Sequence, residues 1–364
     1  MAYKVKVIRD QEQFGSLAGV WDELVSDAVD ANTFLSHAWL HSWWCAYRPR
    51  ADLRVLLAEL NEKVMGIAAV MSVTEPSAGL VIRKLRFVGD GTSETDHMNF
   101  IVREEGRELT LEVLLQAVAD LDWDVTHFDQ MPEDSANTLQ TLDFARRQGW
   151  LVDIQKSPSP LRHLPSSYDE LLRSMQPRFR TSLRSSRRHI EAAHRVEFGL
   201  YSKPEELSTA LEMLFQNHSN RWQTKGQSGV FEDRRKRQFY ATLSPRLLEA
   251  GALRFFFLKI DGKVAAQQYC FEHCGTVMLL QEGFDPTFAC HNVGNVLRAM
   301  AFEHLIANGS HTYDFLAGVS RHKRNWSDAA PNDLRIECAR TTLRGRISFL
   351  LPRALARLKR RLRS

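Results

Sequence analysis

The sequence predicts an α/β protein, with mixed sheets, built as two domains in tandem. Three observations predict it. The chain has 364 residues, more than one ordinary domain needs and comfortable for two. Both halves alternate strand-like and helix-like patterns and contain tight hairpins. A Pro- and Ser-rich break, SPSPLRHLPSS, falls between them. A composition of 44% hydrophobic and 25% charged residues is that of a folded chain.

In order, residues 2–8 alternate as a strand, and 16–28 and 34–47 carry helical spacing, the second rich in Trp. LRVLLAEL and KVMGIAAVMSV are apolar runs separated by two polar residues, which predicts a hairpin. KLRFVG and HMNFIV read as short strands, ELTLEVLLQAVADL as an amphipathic helix, DVTHFDQM as a strand, NTLQTLDFARRQG as a helix stopped by Gly149, and WLVDIQKS as a strand. After the break, a basic helix spans about 176–195, followed by the strand VEFGLY and helices near 204–223 and 232–249. LRFFFLKI, VAAQQYCFEH and TVMLLQEGF form three strands on tight turns, one of them Asp261-Gly262. The loop DPTFACHNVGN leads into the helix VLRAMAFEHLIANG, then the strands HTYDFLAG and LRIECART, and a helical tail. The expected boundaries are an N-terminal domain at 1–158, a linker at 159–167, a C-terminal domain at 168–342 and a tail at 343–364.

The net charge of +4 is uneven. The last 24 residues hold eight Arg or Lys and no acid, which leaves the first 340 at −4. A DNA-binding body is therefore not expected. Leu351, Leu355, Leu358 and Leu362 recur at helical spacing among those cations. Such a helix either packs on the second domain or rests on an anionic membrane through 351–364. No apolar run reaches the roughly 18 residues of a membrane span, and the N-terminus lacks an apolar signal core. Five cysteines without framework spacing agree with a reducing compartment. A cytoplasmic protein, peripheral at the inner membrane if the tail binds lipid, is the expectation.

Several stretches can carry chemistry. In CHNVGNVL, Gly294 stands just ahead of a helix start, where unpaired N–H groups and the helix dipole suit a phosphate. An ordinary capped turn explains the same residues. DFLAGVSRHKRNW, Asp314 to Trp326, gathers Arg321, His322, Lys323 and Arg324 without an acid. It reads either as a solvated turn or as the rim of an anion site. Asp314 and Glu282, each near a strand end, serve as general base or as structural hydrogen-bond acceptors. His218, Arg221 and Trp222 fall within one helical turn and form either an acceptor wall or a half-buried pair. Arg180 and Arg184 lie on the basic helix, as solvated surface or as anion contacts. Cys270, His273 and Cys274 share a hairpin and Cys290-His291 follows, but no CxxC pair occurs, so no metal is expected.

With these pieces in place the chain resembles the CelD/BcsL-type proteins of the GNAT acetyltransferase superfamily, relatives of the Fem-type peptidoglycan aminoacyltransferases. The resemblance rests on TFLSHAWLHSWW, LRFVGDGTSETDHMNFIV and DWDVTHFDQMPEDS in the first half. In the second half it rests on RFRTSLRSSRRHIE, HSNRW followed by GVF, GFDPTFACHNVGNVL and DFLAGVSRHKRNW. It implies two tandem GNAT-like domains, the second binding acetyl-CoA or a longer acyl-CoA as co-substrate. The pyrophosphate would sit on His291, Asn292, Val293, Gly294, Asn295, Val296 and Leu297. The base would be Asp314, Glu282 or His218, and Arg221, Trp222, Arg321, Lys323, Arg180 and Arg184 would meet substrate. The implied acceptor is an amine or hydroxyl of a small-molecule, glycan or lipid-linked envelope or exopolysaccharide precursor. The alternatives are Fem-type transfer from aminoacyl-tRNA and a non-catalytic GNAT-like scaffold.

Overall fold

The structure is a computed structural model describing residues 2–47, 50–77, 79–223 and 229–361, with backbone alone at 220–223, 230 and 356–361. In chain order the elements are β1 (Lys4–Ile8), α1 (Gln11–Ser16), α2 (Ala18–Ser26), α3 (His37–Tyr47), β2 (Ala51–Leu60), β3 (Lys63–Ser77), β4 (Leu80–Phe87), β5 (Ile101–Val102), α4 (Arg107–Asp120), β6 (Val125–Pro132), α5 (Ala136–Arg147) and β7 (Leu151–Pro158). They continue as β8 (Leu161–His163), α6 (Tyr168–Ser174), α7 (Pro177–Ala193), β9 (Val196–Leu200), α8 (Pro204–Gln223), α9 (Arg234–Glu249), β10 (Leu253–Ile260), β11 (Lys263–His273), β12 (Thr276–Phe284), α10 (Val293–Ala307), β13 (Thr312–Asp314), α11 (Arg321–Trp326), β14 (Asn332–Ala339) and α12 (Leu343–Arg361). The α/β class with two sheet-bearing units is as the sequence predicts. One sheet runs β1-β2-β3-β4-β6-β14-β7 with β5 beside β3, and the other runs β8-β13-β12-β11-β10-β9.

The compact units are Met1–Ser157 with Asn332–Ser364, and Pro158–Pro331. This differs from the expected boundaries in three ways. The 159–167 stretch is not a free linker, because Leu161–His163 pairs antiparallel with β13 and closes that sheet's edge. Pro160 and Pro165, which cannot donate to a ladder, bracket that edge strand. The strand β14 belongs to the first sheet, where Asp333 to Ala339 pair with β6. The tail helix follows it and packs on the first unit, where the second was expected: Phe349, 5% exposed, joins Ile82, Val125 and Ala339. Arg353 lies over the Phe349 ring and pairs with Asp153 and Glu337 at 3.1 and 3.4 Å.

The two units repeat one plan. Each has an antiparallel meander (β2-β3-β4 and β10-β11-β12) followed by a strand parallel to its last member, β6 beside β4 and β13 beside β12. The first hairpins carry the same bulge. Ala58 pairs with Gly66 but Glu59 with Val64, and Leu258 pairs with Ala266 but Lys259 with Val264. Both bulges insert one residue two positions past the turn side of the hairpin, raising the local twist in the same place. A second irregularity exists only in the second unit. Tyr269 pairs with Gln281 and Cys270 with Leu279, so Leu280 is extra in β12. The corresponding β3–β4 ladder runs without a shift.

The first unit also carries a charged row across its sheet. His127 on β6 pairs in register with Arg86 on β4 and Glu337 on β14. It lies 3.6 Å from Glu337 and 3.9 Å from both Asp90 and Asp129, ion-pair rather than hydrogen-bond distances. Asp90, His127 and Asp129 are close enough to share an ion, but Arg86 and Arg335 already compensate the carboxylates. Burial works against the His127 cation, yet the three carboxylates outweigh it and raise the imidazole above its ordinary value.

Two outcomes test this packing. Phe349→Ala should lower the unfolding free energy by about 3 kcal/mol in urea titration, and a change within error would detach the tail from the first unit. A raised folded-state value means that the His127 contribution is complete below the unfolded value and is lost as pH rises through the folded one. Between about pH 6 and about pH 8, wild-type Tm should therefore fall more than that of His127→Gln. Equal slopes would contradict the ion-pair assignment.

Candidate functional site

In the second unit, β12 and β13 begin side by side and then part. They pair at Thr276–Met278 with Thr312–Asp314, and β12 continues to Phe284 with no strand on that flank among the described residues. The parting is fixed locally. The Asp314 carboxylate, 6% exposed, accepts the N–H of Leu316 at 2.6 Å, and Leu316 turns with φ +60°. That turn leads the chain away from β12. The Leu280 bulge sets which face the last β12 residues take, because a one-residue shift exchanges the faces of a strand.

A cavity of about 180 Å³ opens beside this flank, lined by Gln267, Gln268, Glu282, Gly283 and Phe284 from the sheet, Asn292 to Asn295 and Leu297 from α10, and His322 from α11. The helix start is what the sequence anticipated, one turn earlier. Asn292 is the N-cap in the left-handed region at φ 57°, and its carbonyl takes the N–H groups of Asn295 and Val296 at 3.0 and 3.1 Å. Gly294 therefore lies inside the first turn rather than ahead of it. A Cβ built there would meet nothing within 4 Å. The helix's positive end faces open space over that residue.

One wall is an ionic cluster that the sequence reading did not assemble. Arg298 has no exposed surface. Its guanidinium donates to Glu282 and to Nε2 of His322, and lies 5.3 and 5.6 Å from the rings of Phe315 and Trp326. The Gln268 amide oxygen, turned toward it, accepts from Nη2 and Nε at 3.2 and 3.3 Å. His322 also lies 3.6 Å from Glu282. Behind the cluster, Cys270 and Tyr313 are buried and 3.6 Å apart. Burial pushes the Cys270 thiol up to about 12, so it stays protonated and unsuited to nucleophilic attack.

The expected residues are distributed as follows. Glu282 is on the wall, 28% exposed along its side chain. Asn292, Val293, Gly294, Asn295 and Leu297 are there too, but Val293, Val296 and Leu297 bury their side chains in the core and offer backbone only. His291 stands beside His189 and His194. Asp314 is engaged in the turn. His218 is buried edge-on to Phe231 and is not on the cavity wall. The side chains of Arg221 and Trp222 lie outside the described residues. The cationic 318–326 stretch is a capped helical turn, not an open loop: Ser320 accepts the Lys323 N–H, and Trp326 is fully buried against Phe302 and Phe179. The Lys323 ammonium folds back on the carbonyls of Leu316 and Ala317 at 3.0 and 2.8 Å, while Arg321 stays exposed. Arg180 donates to the carbonyls of Leu172 and Arg173, and Arg184 is exposed.

A larger hollow of about 650 Å³ in the first unit is lined by Lys84, Asp153, Glu337 and Arg353. Its charges are already paired, Lys84 with Glu75 and Arg353 with Asp153 and Glu337. The smaller cavity has the open helix end and the flank of β12 that no described strand covers past Met278.

The Arg298–Glu282 pair is lopsided in burial, which sets a prediction. Glu282→Ala leaves a fully buried guanidinium without its carboxylate and should cost about 3 kcal/mol in urea unfolding. Arg298→Leu leaves a carboxylate that reaches water and fills the space with hydrocarbon, so it should cost less. The reverse order would show that Glu282, not Arg298, is the group the pair exists to neutralise.

Residues 177–324, from the start of α7 into α11, match the family model described as acetyltransferase (GNAT) domain. No curated protein matches the chain. Among solved structures, the chain is similar to FemX at 11% identity and a TM-score of 0.61, covering 93% of this chain and 97% of that one. It is also similar to L-PGS from Bacillus licheniformis at 11% identity and a TM-score of 0.55, covering 93% and 95%. The C-terminal domain of a putative lysylphosphatidylglycerol synthetase from Agrobacterium fabrum follows at 11% identity and 0.54, covering 95% and 97%. At these identities the likeness is one of fold, and it extends over both units. The cavity lies within the segment that matches the acetyltransferase domain, and the fold and the match together support an enzyme of the transferase class.

Proposed function

We propose that the second unit transfers an acyl group from acetyl-CoA or a longer acyl-CoA to an amine or hydroxyl. The observation that carries this reading is the open start of α10, with free space over Gly294, beside the flank of β12 along which no described strand runs past Met278. A pyrophosphate placed over Gly294 would meet backbone N–H groups and the helix dipole. A thioester lying along Leu279–Phe284 would find strand N–H groups for its carbonyl oxygen, where negative charge develops.

Among the described lining residues, His322 carries the imidazole, the side-chain type suited to general acid–base work. Its Nε2 accepts from Arg298, so it takes the acceptor's proton only by exchanging that hydrogen bond for one to the acceptor, while Arg298 keeps Glu282 and Gln268. The new C–N or C–O bond then forms as the C–S bond breaks, and the thiolate recovers a proton from the imidazolium or from water. Glu282 positions His322 in this account. Asp314 and His218, engaged elsewhere, are not used, and Arg321 remains exposed for an anionic acceptor. A glycan or lipid-linked envelope or exopolysaccharide precursor as that acceptor follows from the CelD/BcsL resemblance of the sequence.

A second reading is aminoacyl transfer from tRNA. It is favoured by the likeness to FemX over both units and by the charge of the second unit, where 23 Lys and Arg face 17 Asp and Glu. The acidic balance of the first 340 residues conceals that basic unit.

Calorimetric titration with CoA, acetyl-CoA and longer acyl-CoAs separates the two. Saturable binding is expected, and Gly294→Trp should abolish it with Tm unchanged, because the indole enters space the protein leaves open. No binding of any CoA species at millimolar ligand would refute the donor assignment. Tight, salt-sensitive binding of charged tRNA in its place would establish the second reading.

A further inference from the structure

The tail helix presents two faces of opposite character. Phe349 and Arg353, four residues apart, point into the first unit. On the other side Leu343, Leu351 and Leu355 recur in steps of four or eight, with Leu350 beside them, and they are 76%, 41%, 50% and 51% exposed respectively. Leucines so exposed on one helix face are not core that failed to pack, since the core side of the same helix is filled. Arg344 and Arg346 flank the stripe and are exposed. The sequence continues with Arg357, Lys359, Arg360, Arg361 and Arg363 and no acid. Arg353 is the exception, spent on Asp153 and Glu337.

We infer that this outward face of α12 docks on an anionic membrane surface, with the leucines in the acyl boundary and the arginines at the headgroups. Charge complementarity selects this occupant. A second copy would bring the same cations against each other at a two-fold contact, whereas anionic lipid supplies the missing negative charge along the whole stripe. No helix of the described residues is long and apolar enough to cross a membrane, so the helix would lie in the interface plane. The inference stands apart from the acyl-donor reading, because the helix belongs to the first unit and none of its residues lines the cavity in the second.

The test is sedimentation of the full chain with vesicles of phosphatidylcholine alone, and of phosphatidylcholine mixed with phosphatidylglycerol. Binding is expected to the mixed vesicles only, and it should weaken steeply between ~0.1 M and ~1 M salt. The Leu350→Ser, Leu351→Ser, Leu355→Ser triple variant should lose at least about tenfold in partitioning. Arg344→Glu with Arg346→Glu should lose at least about fivefold for each charge removed. These positions are exposed, so circular dichroism should be unchanged; if the leucine variant does not fold, the arginine variant carries the test. No binding to phosphatidylglycerol vesicles would overturn the inference. So would equal binding of the variants. A dimer in sedimentation velocity that the leucine variant converts to monomer would overturn it in favour of self-association.

Discussion

A guanidinium with no exposed surface has to be neutralised where it sits. Arg298 projects from the buried face of α10 into the space between β12 and α11, and its partners set the positions of both. Glu282 must face inward from β12, which the Leu280 bulge arranges. His322 must face it from α11, which the Ser320 cap and the Lys323 clasp on Leu316 and Ala317 arrange. Phe315 and Trp326 close over the cation's faces, where ring quadrupoles favour it. Such a cluster is weak evidence for stability, because desolvation offsets much of the Coulomb gain. Its consequence is positional: one acid and one imidazole are held on the wall of a cavity at a helix start.

The repeated plan of the two units explains why only one of them holds this cavity. Both have the meander, the first-hairpin bulge and the parallel strand. In the second, the bulge at Leu280 and the early departure of β13 leave one flank of β12 with no described strand beside it past Met278. In the first, the ladder β3–β4 is regular, β14 extends the sheet beyond β6, and α12 packs on it. There the polar face is filled by mutually paired charges around His127.

Much of the fold was legible because it is local. The hairpins at Asn61-Glu62 and Asp261-Gly262, the Gly149 stop and the helices α4, α7 and α10 all follow from period and turn chemistry. The misplacements involve pairing between distant residues. Nothing in LRH distinguishes an edge strand from a linker, and nothing in LRIECART says that its partner is β6 rather than β13. The site was half legible. Gly294 and Glu282 could be named from a helix start and a strand end. Arg298 left a signal that went unused, a single cation inside VLRAMAFEHL, where a charge is tolerated only when paired. Asp314 and Lys323 could not be told from site residues, because turn-forming and ligand-binding side chains are the same types until their partners are seen.

In the proposed reaction the strandless flank of β12 and the first turn of α10 together receive the acyl donor. Amide hydrogen exchange on the intact protein, with and without saturating acyl-CoA, tests it most directly. The account predicts that ligand slows exchange in Leu279–Phe284 and Val293–Asn295, while the first unit is unchanged. Protection confined to the first unit, or binding with no protection at either segment, would contradict it.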